Sequence, residues 1–138
     1  MTLESLLDGV EVLSQSGSAS VKGVDYDSRR VQPGWLFVAM RGETTDGNRY
    51  IDAALKAGAV AIVTDSASEA AREGVAWAVV AHGRRALARV SANFYKHPEN
   101  RLRLVGITGT NGKTTTAYLV ESILNAAGRK SVLIGTIE

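Results

Sequence analysis

Leu102-Arg-Leu-Val-Gly-Ile-Thr-Gly-Thr-Asn-Gly-Lys-Thr-Thr-Thr116 is the stretch whose reading decides the fold. Its first half, LRLVGI, is a short apolar run between polar residues and predicts a buried strand. Its second half sets Gly109 and Gly112 next to Lys113 and a run of hydroxyls. Beyond it, Leu119, Val120, Ile123, Leu124 and Ala127 recur at helical spacing, and Gly128 stands where a helix would stop. Strand, glycine loop and helix in that order form a cradle for a triphosphate. Glycines let the backbone turn sharply and bring its N–H groups against phosphate oxygens. The helix N-terminus adds orphan N–H groups and partial positive charge. Lys113 supplies a full charge for the β/γ-phosphates, and Thr114 a hydroxyl suited to Mg²⁺. The strict G-x-x-x-x-G-K-[ST] pattern would put its first glycine at Ile107, whereas here the glycines are Gly106 and Gly109. The loop is therefore a variant of that pattern.

Working outward, the segment before the loop reads as a small α/β module. Val21–Tyr26, Trp35–Met40, Ala59–Val63 and Ala76–Val80 are predicted strands, with Trp35–Met40 the central one. Leu3–Leu7 is a short helix ending at Gly9, and Ser14–Ser20 a polar loop. Asn48 is the expected cap of a helix with Ile51, Ala54 and Leu55 on its apolar face, ended by Gly58. Thr64–Gly74 is expected to hold one or two helical turns. Arg84–Tyr95 carries Leu87, Val90 and Phe94 on one face and ends at His97-Pro98, because the residue before proline is pushed out of the α region. After the loop helix, Lys130–Ile134 is another predicted strand.

The break divides the chain into residues 1–98 and an incomplete second domain, residues 99–138. A lone β-loop-α-β piece of that size leaves most of its apolar surface exposed, so it is expected to be the opening of a larger domain. Catalysis of phosphoryl transfer would also need a carboxylate to hold Mg²⁺. Glu121, in the middle of the helix, and Glu138, the last residue, are not convincing for that task. The 138 residues alone are expected to hold a nucleotide without turning it over.

Composition narrows the partners. Sixteen Lys and Arg against fourteen Asp and Glu leave a net charge of +2, too little to argue for nucleic acid or an acidic membrane surface. There are no cysteines, which excludes disulfides and thiolate zinc sites. His82 and His97 lack metal-site spacing and read as surface or capping residues. No signal peptide and no apolar run approaching ~20 residues is present, so a cytoplasmic location without membrane insertion is expected.

Three motifs in order give the chain a family likeness. VDYDSRRVQPGWLFVAMRG (Val24–Gly42) is similar to a D-S-R-x-V-x-P-G-x-L-F-V-A-x-x-G signature. TTDGNRYIDAALKAGAVAIV (Thr44–Val63) is similar to D-G-x-x-(Y/F)-I-x-x-A-x-x-x-G-A. FYKHPENRLRLVGITGTNGKTTT (Phe94–Thr116) is similar to an F-Y-x-x-P linker followed by an ATP loop. The chain resembles the Mur ligases of peptidoglycan synthesis across its whole length, and within them the MurE type. That resemblance implies an N-terminal domain holding the UDP end of UDP-MurNAc-L-Ala-D-Glu, a central ATPase that makes an acyl phosphate of the D-Glu carboxylate, and a C-terminal domain that receives meso-diaminopimelate or L-lysine. This chain would carry the first domain and the start of the second. The central and C-terminal remainder would lie beyond it.

By the same resemblance, Gly109, Thr110, Asn111, Gly112, Lys113, Thr114 and Thr115 would bind ATP. Lys113 would serve catalysis, and Thr114 or Thr115 would share Mg²⁺. Tyr26, Ser28, Glu43, Thr44 and Thr45 would contact the uridine nucleotide. Tyr26 stands where leucine is the commoner residue, and Glu43-Thr44-Thr45 where His-Gln-Ala is. A carboxylate at 43 near a diphosphate implies a side chain turned away and contact through the backbone. Asp27 and Arg29 read as a local ion pair, Asp46-Gly47 as a turn, and Trp35 and Trp77 as core. A MurF-type ligase and a non-catalytic nucleotide-sugar module are the alternatives.

Overall fold

The computed structural model describes residues 1–135. The chain divides into two compact units, Met1–Arg101 and Leu102–Glu138. The first is built on a five-stranded sheet. Its strands are β1 (Val12–Ser16), β2 (Gly23–Asp25), β3 (Trp35–Ala39), β4 (Ala61–Thr64) and β5 (Ala76–Val80), in the order β1-β5-β4-β3-β2. β2 to β5 run parallel, and β1 joins β5 antiparallel. The central strand is thus β4, with β3 beside it, a correction to the placing of Trp35–Met40 at the centre.

Parallel strands are covered on both faces, so their sequences are continuous apolar runs. The register sorts those runs cleanly. Leu36, Ala61 and Ala76 lie side by side, as do Val38, Val63 and Ala78. These rows pack under α1 (Leu3–Leu6) and α3 (Gly83–Phe94), whose Leu3, Leu6, Ala86 and Val90 close that side of the core. The intervening row, Phe37, Ile62 and Trp77, faces the other way and meets Ile51 and Ala54 of α2 (Ile51–Lys56). Three alanines in the strand rows and Ala86 on α3 leave room for that helix to approach the sheet closely. Asn93, on the last turn of α3, donates through Nδ2 to the carbonyls of Leu6 and Asp8, both at 2.9 Å, and so ties down the end of α1. His97 Nε2 in turn lies 3.0 Å from Asn93 Oδ1.

Several boundaries differ from the sequence reading, each for a local reason. β1 takes in Ser14, Gln15 and Ser16, expected from the sequence to begin a polar loop. It is an edge strand with Leu13 and its serines exposed, so no apolar alternation marks it, and its ladder comes from β5. Asp46, not Asn48, caps the 3₁₀ turn Gly47–Tyr50 that leads into α2; its side chain accepts the Asn48 N–H. Residues 65–75 form turns in place of helix, closed by bonds such as Val75 N–H to Arg72 O.

In the second unit the regular element is α4 (Lys113–Ala126). Its end follows the expected glycine rule. Gly128 sits at φ +70°, with Gly128 N–H bonded to Asn125 O and Arg129 N–H to Leu124 O, a Schellman pair. The stretches Leu102–Ile107 and Lys130–Ile134, expected as strands, are not strands here. Neither has a ladder partner among the described residues, and a strand is defined by its pairing. Leu104, Val105, Val132 and Ile134 are accordingly exposed. Glu138 lies outside the described residues. No helix among those described is long and apolar enough to cross a membrane.

Candidate functional site

The glycine loop has the conformation its composition demands. Gly112 is left-handed (φ +75°) at the N-cap of α4 and makes no side-chain cap bond; Gly109 is at φ +151°. An L side chain is strained in that half of the map, which is the reason for glycine at both positions. The first intrahelical bond runs from Thr116 N–H to Gly112 O, so the preceding N–H groups of the helix start have no carbonyl behind them. Lys113 folds back over the loop. Its Nζ donates to Gly109 O at 2.6 Å and to Thr110 O at 3.4 Å. One ammonium and orphan amides thus stand at the N-terminus of a 14-residue helix whose first turn carries Thr114 and Thr115. That donor set fits a polyphosphate. Among the described residues no group of three or more His, Asp or Glu could hold a metal ion. A Mg²⁺ here would depend on a threonine hydroxyl and on the nucleotide's own oxygens.

The other candidate residues lie in the first unit, at the carboxyl ends of neighbouring parallel strands, the edge where open α/β sheets bind ligands. Tyr26 and Ser28 follow β2. The turn there is organised by Asp25, a buried carboxylate that accepts the N–H groups of Tyr26 (2.8 Å) and Asp27 (2.9 Å) and pairs with Arg30 at 3.2 Å. Tyr26 itself is exposed. Arg29 binds Asp27 through two nitrogens, Nη2 to Oδ2 at 2.6 Å and Nε to Oδ1 at 2.9 Å, the ion pair expected from the sequence. That bond holds the Asp27 carboxyl at about 2, below its ordinary 3.8.

Because the folded value is the lower one, the stabilisation from Asp27 is complete above pH ~4 and is lost as pH falls through about 2. Asp27→Asn is expected to lose stability at neutral pH and to match the wild type in acid. Urea unfolding at a series of pH values reads the difference, and parallel curves would refute it.

Glu43, Thr44 and Thr45 follow β3, in a closed hairpin. Met40 O accepts Gly47 N–H at 2.9 Å, and inside that ring Thr45 O accepts Gly42 N–H at 2.8 Å. Glu43 and Thr44 form the tip. The Glu43 side chain lies 3.5 Å from Arg84 Nη2 on the first turn of α3. It faces an arginine beside a cavity of about 400 Å³ lined by Arg41, Asp65, His82, Arg84 and Arg85. His82 holds the N-cap position of α3 without capping it.

Beneath the hairpin is a polar network that sequence reasoning missed. Thr64 Oγ1 donates to Asn48 Oδ1 at 2.6 Å, and Asn48 Nδ2 donates to Asp46 Oδ1 (2.8 Å) and Asp65 Oδ1 (3.0 Å). Asp65 also accepts the Arg41 N–H at 3.0 Å. The Asn48 bonds hold the Asp46 carboxyl below the usual range. Only the Asp-Gly-Asn spelling hinted at this, and it reads equally well as a turn.

This architecture is that of a two-unit α/β protein with a phosphate-loop turn at a helix N-terminus. The chain belongs to the Mur ligase family: the family's catalytic-domain model matches residues 20–95, and its middle-domain model residues 107–138. The family expected from the three motifs is the one found. The chain is 46% identical to the UDP-N-acetylmuramoyl-L-alanyl-D-glutamate--2,6-diaminopimelate ligase of Solibacter usitatus, over 100% of this chain and 28% of that one. To the ligase of the same name from Chlorobaculum tepidum it is 51% identical, over 86% of this chain and 23% of the relative. The crystal structure of MurF ligase from Thermotoga maritima in complex with ADP superposes with a TM-score of 0.58 and 27% identity, over 77% of this chain and 24% of that one. The chain thus spans less than a third of the length of these relatives.

Proposed function

We propose that this chain is the nucleotide-sugar module and phosphate loop of an ATP-dependent amide ligase of the MurE type. Residues 1–98 are the first domain and 99–138 the opening of the central one. The observation that carries the reading is Lys113, its ammonium arched over Gly109 and Thr110 at the open start of α4. In the full-length protein ATP would convert the D-Glu carboxylate of UDP-MurNAc-L-Ala-D-Glu to an acyl phosphate. The amine of diaminopimelate would then displace phosphate to form the amide. Lys113 and the amides of Gly109–Thr115 stabilise the charge on the phosphoryl group in transfer. Thr114 or Thr115 offers a hydroxyl to Mg²⁺. Tyr26, Ser28 and the Glu43–Thr45 tip hold the uridine nucleotide, and the reaction belongs in the cytoplasm.

Between meso-diaminopimelate and L-lysine, the names of the two relatives, which specify 2,6-diaminopimelate, support the first. The MurF likeness in three dimensions supports the second reading, addition of a dipeptide to the UDP-tripeptide, but at lower identity. The test is phosphate release by the full-length protein. It is expected with ATP, UDP-MurNAc-L-Ala-D-Glu and diaminopimelate together, and absent when any one is omitted. Release only with the UDP-tripeptide and D-Ala-D-Ala would replace this reading with the second.

A further inference from the structure

We propose that Thr64 and Asn48 are positioning residues that set the shape of the Gly42–Thr45 turn, and with it the affinity for the uridine nucleotide. The inference rests on the assignment of that turn to nucleotide binding.

Neither residue belongs to the turn. Thr64 is the last residue of β4 and has no exposed surface; Asn48 is buried in the 3₁₀ turn before α2. The direction of each hydrogen bond between them is forced. Asp46 and Asp65 as carboxylates only accept, which turns Asn48 Nδ2 toward them and leaves Oδ1 facing Thr64. The Thr64 hydroxyl therefore donates to Asn48 Oδ1 at 2.6 Å, while its oxygen accepts Ser66 N–H at 3.0 Å. Asn48 Nδ2 is therefore a donor shared by two carboxylates that would otherwise repel each other across a partly buried gap.

Those carboxylates are the base of the hairpin. Asp65 holds the Arg41 N–H, and Asp46 caps the turn that follows, pairing with Arg41 Nε at 3.9 Å. With the base set, the Met40–Gly47 and Gly42–Thr45 bonds fix the tip between them. Removing the Thr64 hydroxyl leaves Asn48 Oδ1 buried without its donor and takes away the bond that ties the amide, and through it Asp46 and Asp65, to the end of β4.

The experiment is calorimetric titration of the chain with UDP, alongside melting temperature and hydrogen exchange at Gly42 N–H. Thr64→Val, nearly the same shape, is expected to weaken UDP binding about tenfold, the effect of one lost buried hydrogen bond, and to speed Gly42 exchange. Thr64→Ser, which keeps the hydroxyl, restores both. Asn48→Asp, which replaces the shared donor with an acceptor, weakens binding as Thr64→Val does and serves if the valine variant does not fold. Val90→Ala, a cavity under α3 remote from the network, lowers the melting temperature without changing UDP affinity. Wild-type affinity in folded Thr64→Val, or equal weakening by Val90→Ala, overturns the inference and leaves the function intact. Absence of UDP binding by the wild type overturns the nucleotide assignment and this inference with it.

Discussion

Lys113→Ala in the full-length protein is expected to lower turnover by about 10²–10³-fold, the usual effect of removing one preorganised charge from a transferring group. The ammonium makes two bonds, both to carbonyls of its own loop, and the loop is exposed. Water can therefore satisfy Gly109 O and Thr110 O once the side chain is gone, and the loop keeps the backbone that Gly109 and Gly112 impose. The loss is then one of transition-state charge stabilisation and falls mainly on kcat. The residues proposed for UDP binding lie in the other unit, so UDP affinity is expected to stay at the wild-type level. Lys113→Arg keeps the charge on a planar, forked group that cannot settle over two carbonyls as a compact ammonium does, and recovers only part of the rate. Steady-state phosphate release with calorimetry on the same samples checks both halves. Unimpaired turnover in Lys113→Ala would remove the basis for the proposed chemistry.

The glycine turn and the helix start were legible in the sequence because the backbone there constrains residue types at adjacent positions. Left-handed turns need glycine, and the helix follows at once. β3, β4 and β5 were legible for a similar reason, as strands buried on both faces cannot be spelled with polar residues. What escaped was everything whose signal lies in another part of the chain. β1 is polar and exposed, and becomes a strand only through β5. Leu102–Ile107 and Lys130–Ile134 are apolar enough for strands, but pairing is a property of neighbours, and none is present among the described residues. The Asn48 network joins residues 16 and 17 positions apart, and a single Asp-Gly-Asn string cannot announce partners at Thr64 and Asp65. The candidate nucleotide residues Glu43–Thr45 could be named from the likeness; their support could not.

The same distance between cause and signal makes Gly83 a position where a large loss of stability is expected. The sequence gives no reason to single it out, and helical periodicity begins at Arg84. In the fold it is the first residue of α3 and is buried. A Cβ there would lie 2.5 Å from Met40 Cβ and 2.6 Å from Asp65 Oδ2. Neither neighbour can give way easily. Met40 Cβ is tied to backbone that closes the hairpin on Gly47, and the Asp65 carboxylate is held by Arg41 N–H and Asn48 Nδ2. Gly83→Val must therefore lift the start of α3 from the sheet edge or break the network beneath the hairpin. Overpacking at a rigid contact costs up to about 3 kcal/mol, a large part of the ~5–15 kcal/mol of an ordinary domain. For a unit near 100 residues that is a fall in melting temperature of roughly 15 °C. The two tryptophans of the chain, Trp35 and Trp77, both lie in the first unit, so their fluorescence follows its unfolding alone. Gly74→Ala is the control. Gly74 has φ +77° but nothing within 4 Å of an added Cβ, so only backbone strain of about 1–2 kcal/mol is expected. If Gly83→Val melted no lower than Gly74→Ala, the close seating of α3 on Met40 and Asp65 would have to be abandoned.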